Sequence, residues 1–430
     1  FFLNSPDCRH ILAASAFLSL PRKMGGTPST QQDLLSLKKN PPHADARKKA
    51  FKRLRHSMVP TLPDSQVRTL AAEISEERFA AWPLPPSSVT ASACSPEILA
   101  DRVLGCLVGA ALGDAAGLAA EFLSKEDIRN FYGSDFDFCP GCEVYPDEHR
   151  MMWCSGDWTD DTDQQLLLLL SLLNQGGRVD QIDFARRLDI WRRRGFAEFG
   201  DQSAAGLGQT TKAVMNDKRF LEAPAEAAQA HSGKTPANGA LMRTAVVGLL
   251  SYWDLDAVSN NAVAMCKVTH ADPRCIASCV AAAVAVALML QGADLSSLNL
   301  AEAVIEPALE RASTYLGDDQ ESKAEFLGHT RAETLAELNL AESRRIGYTL
   351  KCLGAGFASL RTEAGFQSAL NELIREGGDA DTNGTVAGAL LGCRLGYSRL
   401  PQHWIFGMPY SPWLLALGRK VQVAMGLSDQ

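Results

Sequence analysis

Apolar residues recur at helical spacing along most of the chain. The pattern begins with Ser95, Pro96 and Glu97, an N-cap followed by proline at the first helical position, which predicts a helix as far as about Leu112. No alternating pattern typical of strands competes with the helical one. The periodicity predicts further helices over Leu166–Leu173, Ile182–Arg194, Leu241–Leu250, Ile276–Leu290, Ala301–Leu316, Ala332–Leu340, Tyr348–Leu360, Phe366–Arg375 and Thr385–Leu395. We therefore expect an all-α domain.

Glycines form stripes on two of these helices. The first stripe consists of Gly105, Gly109 and Gly113, and a second one, at the same four-residue spacing, lies within 384–392. Residues four apart lie on one face of a helix, and glycine has no side chain to keep a neighbour away. The stripes predict that both helices pack backbone to backbone at the centre of the domain.

A change of composition divides the chain at the Pro/Ser-rich segment 83–88. Residues 1–100 contain 13 basic and 8 acidic side chains, which leaves 29 basic against 42 acidic in the remainder. We predict a basic, partly disordered N-terminal extension over residues 1–95, with a helix over Thr69–Trp82, and a domain over residues 96–430. Met24 is followed by a short myristoylation-like pattern and a basic cluster over 47–55, which a solvated helix explains equally well.

Composition limits the class of protein and its location. The 430 residues are 46% apolar and 21% charged with a net charge of −8, so we expect a globular protein that does not bind nucleic acid. The apolar run Cys275–Leu290 is too short to cross a bilayer and predicts a buried helix. The 11 cysteines are scattered, which favours a reducing, cytoplasmic location, and Cys139 and Cys142 form an isolated CxxC that we interpret as part of a loop.

Two groups of carboxylates each precede a predicted helix. One lies in 157–163 (DWTDDTD) and the other in 377–383 (GGDADTN), and neither has a basic residue within it. Capping and the helix dipole explain one or two such side chains at each helix. If the two helix starts meet, the remaining carboxylates must be protonated or must bind cations, and an oxygen-only set of ligands favours Mg²⁺ or Mn²⁺. The number of carboxylates suits a pair of ions.

Five motifs, in order, resemble those of one known family. They are 105–117 (GCLVGAALGDAAG) with Glu121, 159–162 (TDDT), 238–243 (NGALMR), 269–270 (TH) and 377–383 (GGDADTN). Over residues 98–430 the chain is similar to the ADP-ribosylglycohydrolase family, which includes the dinitrogenase-reductase-activating glycohydrolases. The resemblance implies a compact, orthogonal multi-helix domain with a two-metal cleft, which cleaves the bond between the terminal ribose of ADP-ribose and an attached group.

The resemblance also implies the roles of individual residues. Glu121, Asp160, Asp161 and Asp379 would be catalytic, with Glu121 positioning substrate or activating water. Two Mg²⁺ or Mn²⁺ ions would be bound by Thr159, Asp160, Asp161, Asp379, Asp381 and Thr382. Substrate would be bound by Gly206, Gly208, Asn238, Gly239 and His270, mainly through backbone amides that face the diphosphate. Asp114 and Arg243 fit a supporting role as well as a direct one, and Phe131, Tyr132, Trp153 and Trp158 fit either a cleft wall or the core.

One segment departs from the family pattern. Some arginine-specific members have Asp-x-Gly-x-Thr-Thr where this chain reads GLGQTT over 206–211. The acceptor therefore stays open among arginine, serine, an acetyl ester and a small molecule. A catalytically silent member that binds ADP-ribose or serves a structural role is the alternative, and the residues alone also allow an isoprenoid-diphosphate enzyme. We expect a monomer that acts on an ADP-ribosylated protein or small molecule and is not inserted stably in a membrane.

Overall fold

The structure is a computed structural model. It describes Trp82 and residues 92–296 and 300–427. The predictions for residues 1–81 and 83–91, including the basic extension and most of the helix Thr69–Trp82, lie outside these residues. Trp82 is buried, and its backbone N–H donates to the carbonyl of Ala424 at 3.1 Å.

The secondary structure of the described ranges consists of helices, without a β-strand. They are α1 Pro96–Gly117, α2 Lys125–Tyr132, α3 Asp160–Asn174, α4 Gln181–Arg194, α5 Gln209–Met215, α6 Pro224–Ser232, α7 Leu241–Thr244, α8 Leu255–Cys266, α9 Pro273–Gln291, α10 Glu306–Ser313, α11 Gln320–Thr330, α12 Leu335–Leu338, α13 Thr349–Arg361, α14 Phe366–Ile374, α15 Ala380–Leu395, α16 Gln402–Gly407 and α17 Ser411–Ala424. Short 3-10 and π turns join some of them, and a single antiparallel bridge links Ala237 to Tyr348. The expected all-α fold is confirmed.

The two glycine stripes face each other across α1 and α15. A Cβ atom placed on Gly109 would lie 2.3 Å from the carbonyl oxygen of Gly388, and one on Gly113 would lie 1.9 Å from that of Gly384. These distances are below any van der Waals contact, so only glycine allows the two backbones to approach this closely. The predicted contact is confirmed, and it fixes the end of α1 beside the start of α15.

Helix α9 lies in the core. Fifteen of its 19 residues are buried, and it packs against α8, α10, α13 and α15. Among the described helices it is the one whose length and apolarity would suit a membrane span, yet 83% of its apolar window is inside the protein. Its burial agrees with the prediction of a core helix. The ten described cysteines are free thiols, and the cytoplasmic location stays a prediction.

Three predicted helices are shorter than expected, and one of them, Ala301–Leu316, is divided into a π turn, α10 and a 3-10 turn. The segment Leu241–Leu250 is divided into α7 and a 3-10 turn, Ala245–Leu249, where Gly248 approaches the carbonyl of Ala283 on α9. The helix predicted over Ala332–Leu340 is reduced to α12, because Asn339 adopts a left-handed conformation with φ of 44°. Helices α2, α5, α6, α8, α11, α16 and α17 were not predicted.

Candidate active site

The starts of α3 and α15 meet beside the end of α1. Thr159 is the N-cap of α3, and its hydroxyl lies 3.4 Å from Oδ2 of Asp381 in the first turn of α15. One turn further along α15, the Thr385 hydroxyl lies 3.3 Å from Oδ2 of Asp161. The two acidic segments, more than 200 residues apart in the chain, therefore form one site. We call Glu121, Asp160, Asp161, Asp379 and Asp381 the carboxylate cluster.

Asp114 fixes the start of α3 from the last turns of α1. Its Oδ1 accepts the Thr159 N–H at 3.0 Å, and its Oδ2 accepts the N–H and hydroxyl of Thr162 at 2.9 and 2.6 Å. Asp114 is fully buried, and burial raises its pKa to about 7. With three donors on its carboxylate, Asp114 supports the site by positioning α3.

The carboxylate cluster is buried and crowded with like charge. Each of its five residues is less than 10% exposed. Burial, reinforced by the neighbouring carboxylates, raises the pKa values of Asp160, Asp161 and Asp381 well above the usual range. Burial is the main cause that raises the pKa of Asp379 to about 6, and the charge of Glu121 is the second. Keeping all these groups ionised at neutral pH requires positive charge.

The arrangement fits a divalent cation. One oxygen from each of Glu121, Asp379 and Asp381 lies within 4.8 Å of the others, and Oδ1 of Asp381 is buried with no hydrogen-bond partner among the described residues. Within the same residues, none of Asp160, Asp161, Asp379 and Asp381 forms an ion pair. A buried carboxylate without a donor or a basic partner is costly unless a cation binds to it. Thr382 also forms a side-chain hydrogen bond with Asp161, and this bond lowers the pKa of the Asp161 carboxyl.

Glu121 projects toward the cluster from the turn after α1. Its side chain contacts His149, with Nε2 of the imidazole 2.5 Å from Oε2 of the carboxylate. Its backbone carbonyl accepts a hydrogen bond from the buried guanidinium of Arg150. The next residue, Phe122, has a left-handed φ of 60° and is 56% exposed, while its N–H donates to the Gly378 carbonyl at 2.6 Å. This turn therefore lies directly against the loop that leads into α15.

A chain of buried hydrogen bonds leads away from Asp160. Gln164 donates to Oδ2 of Asp160 at 2.7 Å and accepts from Arg243 at 2.5 Å. Arg243 also donates to the Thr269 hydroxyl at 2.6 Å, which lies 2.8 Å from Nδ1 of His270. Arg243 is fully buried, so it acts as a scaffold for these side chains. Burial lowers the pKa of His270 to about 3, and its Nε2 has no described partner.

The residues expected to bind substrate lie around this network. Gly206 has a φ of +85°, and a Cβ atom there would lie 2.5 Å from Oδ1 of Asp160. Gly208 is the N-cap of α5 with open space around it, and Gly239 packs against the His270 ring. Asn238 donates through its side chain to Oδ2 of Asp379 at 2.7 Å. Its backbone N–H, which we expected to face phosphate, donates instead to the carbonyl of Gly347.

A cavity of about 780 Å³ opens from Asp379. Arg274, Arg344 and Arg345 line it, so we call it the arginine-lined cavity; its other lining residues are Phe122, Gln209, Thr210, Thr235, Pro236, Ala237, Ser343, Ile346, Gly347 and Tyr348. Arg274 and Arg345 lie over the Tyr348 ring, 5.9 and 5.3 Å from its centroid. A large concave space with positive charge on its wall, beside the Asp379 carboxylate, suits an anionic ligand.

The aromatic residues considered as cleft walls are divided between the core and the site. Phe131 and Tyr132 pack edge to face with Tyr145 and Phe138 in the core. Trp158 is fully buried and donates from Nε1 to Asp163 at 3.0 Å. Trp153, by contrast, lies close to Gly206 and stacks edge to face on His149, with ring centroids 5.0 Å apart.

Several residues at the site were not identified from the sequence. They are His149, Arg150, Gln164, Arg274 and Tyr348. Gln164 carried a usable signal, since it is polar at the position i+4 from Asp160 on one face of α3. His149 and Arg150 lie in an irregular segment that carries no periodic pattern, and only the fold brings them to Glu121.

The chain is similar to several known proteins. A model of the family described as ADP-ribosylglycohydrolase matches residues 95–429. A protein of unassigned function from Archaeoglobus fulgidus is 30% identical over 333 residues, covering 75% of this chain and 96% of its own. ADP-ribosylarginine hydrolase Tri1 of Pseudomonas putida is 25% identical over 78% of this chain and 82% of its own. ADP-ribosyl-[dinitrogen reductase] glycohydrolase of Rhodospirillum rubrum is 24% identical over 71% and 89%.

The fold has a counterpart among solved structures. An ADP-ribosylglycohydrolase-related protein complex contains a chain that aligns with a TM-score of 0.58 and 24% identity, covering 76% of this chain and 99% of that one. This likeness concerns the fold. The family match over residues 95–429, by contrast, confirms the expectation drawn from the five motifs: the chain belongs to the ADP-ribosylglycohydrolase family.

Proposed function

We propose that the protein is a metal-dependent hydrolase that releases ADP-ribose from a protein side chain or a small-molecule acceptor. The observation that carries this proposal is the meeting of the two acidic helix starts with Glu121, beside the arginine-lined cavity that Asp379 helps to line. A buried cluster of this charge needs cations, and a cavity of this size and charge suits a diphosphate ligand.

Thr159, Asp160, Asp161, Asp379, Asp381 and Thr382 would hold two Mg²⁺ or Mn²⁺ ions. When bound, the ions supply positive charge that orients and polarises the ribose hydroxyls and a water. Glu121 would orient this water and accept its proton. The water oxygen forms a bond to C1 of the terminal ribose while the bond from C1 to the acceptor breaks, and the acceptor leaves with a proton.

The ADP part of the substrate would occupy the arginine-lined cavity. Arg274 is already paired with Asp272 through two hydrogen bonds of 3.0 and 2.8 Å, and Arg345 lies 3.5 Å from Glu325. Arg344 is exposed and forms no ion pair within the described residues. We propose that Arg344 contributes charge to the diphosphate, while backbone amides near Gly208 and Gly239 and the His270 ring also contact substrate.

The residue at position 206 supports a proposal about the acceptor. The relative from Pseudomonas putida is named as an ADP-ribosylarginine hydrolase. In this chain the position is Gly206, and even a Cβ atom would collide with Asp160. Position 206 therefore offers no carboxylate that could pair with a guanidinium, and we propose a substrate other than ADP-ribosylarginine.

The test measures release of ADP-ribose from mono-ADP-ribosylated serine and arginine peptides, with Mg²⁺, with Mn²⁺ and with EDTA. We expect metal-dependent release, faster from the serine peptide. Asp379→Asn should abolish release, and Asp319→Asn, at the exposed N-cap of α11, is the matched control and should retain it. Tight ADP-ribose binding without release from any ADP-ribosyl substrate would instead support the silent member.

A further inference from the structure

We propose that His149 is a positioning residue that holds the Glu121 carboxylate toward the carboxylate cluster. This inference rests on the proposed function for its kinetic consequence, but its geometry stands alone. With the proton on Nε2, the imidazole donates to Oε2 of Glu121, and the two atoms are 2.5 Å apart. The Glu121 side chain is 7% exposed and that of His149 is 25% exposed, so water competes little for this contact.

Glu121 needs a partner to stay where it is. An oxygen of its carboxylate lies within 4.8 Å of oxygens of Asp379 and Asp381, and its charge raises the pKa values of both these residues after the larger effect of burial. Repulsion from the two aspartates therefore drives Glu121 away from the cluster. The hydrogen bond from His149 is the described contact that opposes this repulsion at the Glu121 side chain.

The His149 ring is itself fixed by two aromatic neighbours. Its centroid lies 5.1 Å from that of Phe122 and 5.0 Å from that of Trp153, with the latter ring nearly perpendicular to it. Trp153 is buried, and its Cζ2 atom lies against Gly206. The imidazole thus occupies a defined slot between a buried ring and an exposed one, which lowers the entropy lost when it meets Glu121.

The backbone of Glu121 is held separately. The buried Arg150 donates to the carbonyls of both Ala119, at 2.9 Å, and Glu121, and it pairs with Asp147. The Tyr132 hydroxyl also donates to the Ala119 carbonyl at 2.6 Å. Loss of the His149 side chain would therefore leave the main chain in place and release only the glutamate side chain, which has three rotatable bonds.

A positioning role predicts a change in the chemical step rather than in substrate binding. His149 is absent from the lining of the arginine-lined cavity. A displacement of about 1 Å in a catalytic group can reduce the rate about a hundredfold. Removal of the hydrogen bond should accordingly lower kcat by about ten- to a hundredfold and leave KM and the Kd for ADP-ribose within about twofold.

The matched variants are His149→Phe, which keeps a ring between Phe122 and Trp153 without the donor, and His149→Gln, which keeps a donor without the ring. With the full chain and Mg²⁺, we expect His149→Phe to lose kcat as stated and His149→Gln to recover much of it. Calorimetry with ADP-ribose and thermal melting control for binding and folding. A kcat for His149→Phe equal to that of the wild type would overturn the proposal.

A double-mutant cycle with Glu121→Gln separates this role from a general effect on the fold. If His149 acts through Glu121, adding His149→Phe to Glu121→Gln should lower kcat no further. Equal losses from His149→Phe in both backgrounds would show that it acts elsewhere and would contradict the proposal.

A structural readout separates failure of this proposal from failure of the proposed function. Crystal structures of the wild type and His149→Phe with Mn²⁺ report the Glu121 position even if the protein hydrolyses nothing. A Glu121 carboxylate turned away from Asp379 and Asp381 in the variant supports positioning by His149. An unmoved carboxylate overturns it, whatever the activity.

Discussion

Gly109→Ala tests whether the contact between α1 and α15 depends on glycine. The added Cβ atom would lie 2.3 Å from the Gly388 carbonyl oxygen, 3.1 Å from the Gly392 Cα atom and 3.2 Å from the Gly388 carbonyl carbon. All three are backbone atoms, so no flexible side chain can turn aside. To reach a separation of about 3 Å from the oxygen, the two helices must move apart locally by about 0.7 Å.

Two opposing effects set the magnitude. Overpacking in a core costs about 1–3 kcal/mol, and a clash with backbone belongs at the upper end of this range. Alanine in a helix is more favourable than glycine by about 1 kcal/mol. We therefore expect Gly109→Ala to lower the free energy of unfolding by about 2 kcal/mol. Because Asp114 lies on α1 and Asp381 on α15, the same displacement should also reduce ADP-ribose release.

Gly328→Ala is the matched control. Gly328 is an exposed residue of α11, and a Cβ atom there meets nothing within 4 Å. The same substitution should therefore stabilise the protein by about 0.5–1 kcal/mol. Urea unfolding of both variants, read as the midpoint at constant slope, compares the two effects. A Gly109→Ala protein as stable as Gly328→Ala would refute the proposed packing constraint.

Three further predictions concern the charges of the site. Asp381→Asn removes one buried carboxylate from the carboxylate cluster. The metal-free variant should therefore melt at a higher temperature than the metal-free wild type, and Mg²⁺ should no longer raise its Tm. A lower Tm of the metal-free variant would contradict this. Burial raises the pKa of Asp379 from 3.8 to about 6, so across that interval the folded protein retains a proton that the unfolded chain has lost. The stability of the metal-free protein should therefore fall, and its Mg²⁺ affinity should rise, as the pH increases from about 4 to about 6; equal affinities by calorimetry at the two ends would argue against it. Arg243→Met leaves Gln164 and Thr269 without their buried donor and should cost about 3 kcal/mol in urea unfolding, with a loss under about 1 kcal/mol counting against the scaffold role.

The predicted part of the fold follows the strength of the local signals. Long apolar runs identified α9 and α13, and proline after a serine N-cap identified the start of α1. Among the short helices, α5 was not predicted and α12 was predicted too long. The ends of such helices depend on a few capping residues, and α12 ends at the left-handed conformation of Asn339. A helix of four to seven residues has too few positions for a periodic pattern to stand out.

The site, like the fold, was predictable only where local signals in the sequence were strong. The acidic segments 157–163 and 377–383 were recognisable because more carboxylates occur there than capping requires. Their mutual arrangement was not, since Thr159 and Asp381 meet only through the packing of α1 against α15 and through Asp114. The arginine-lined cavity likewise combines Arg274, at the start of α9, with the loop 343–347, and the sequence gives no sign that the two are neighbours.

By itself, the sequence determined the helical class, the glycine stripes, the excess of carboxylates at two helix starts and the family. These features reside in residue types at short spacing, where propensity, periodicity and charge act directly. Only the tertiary structure decided that Asn238 uses its side chain on Asp379, that Arg243 is a scaffold, and that His149 contacts Glu121. Such contacts depend on the directions of side chains from segments far apart in the chain, and those directions are set when the helices pack.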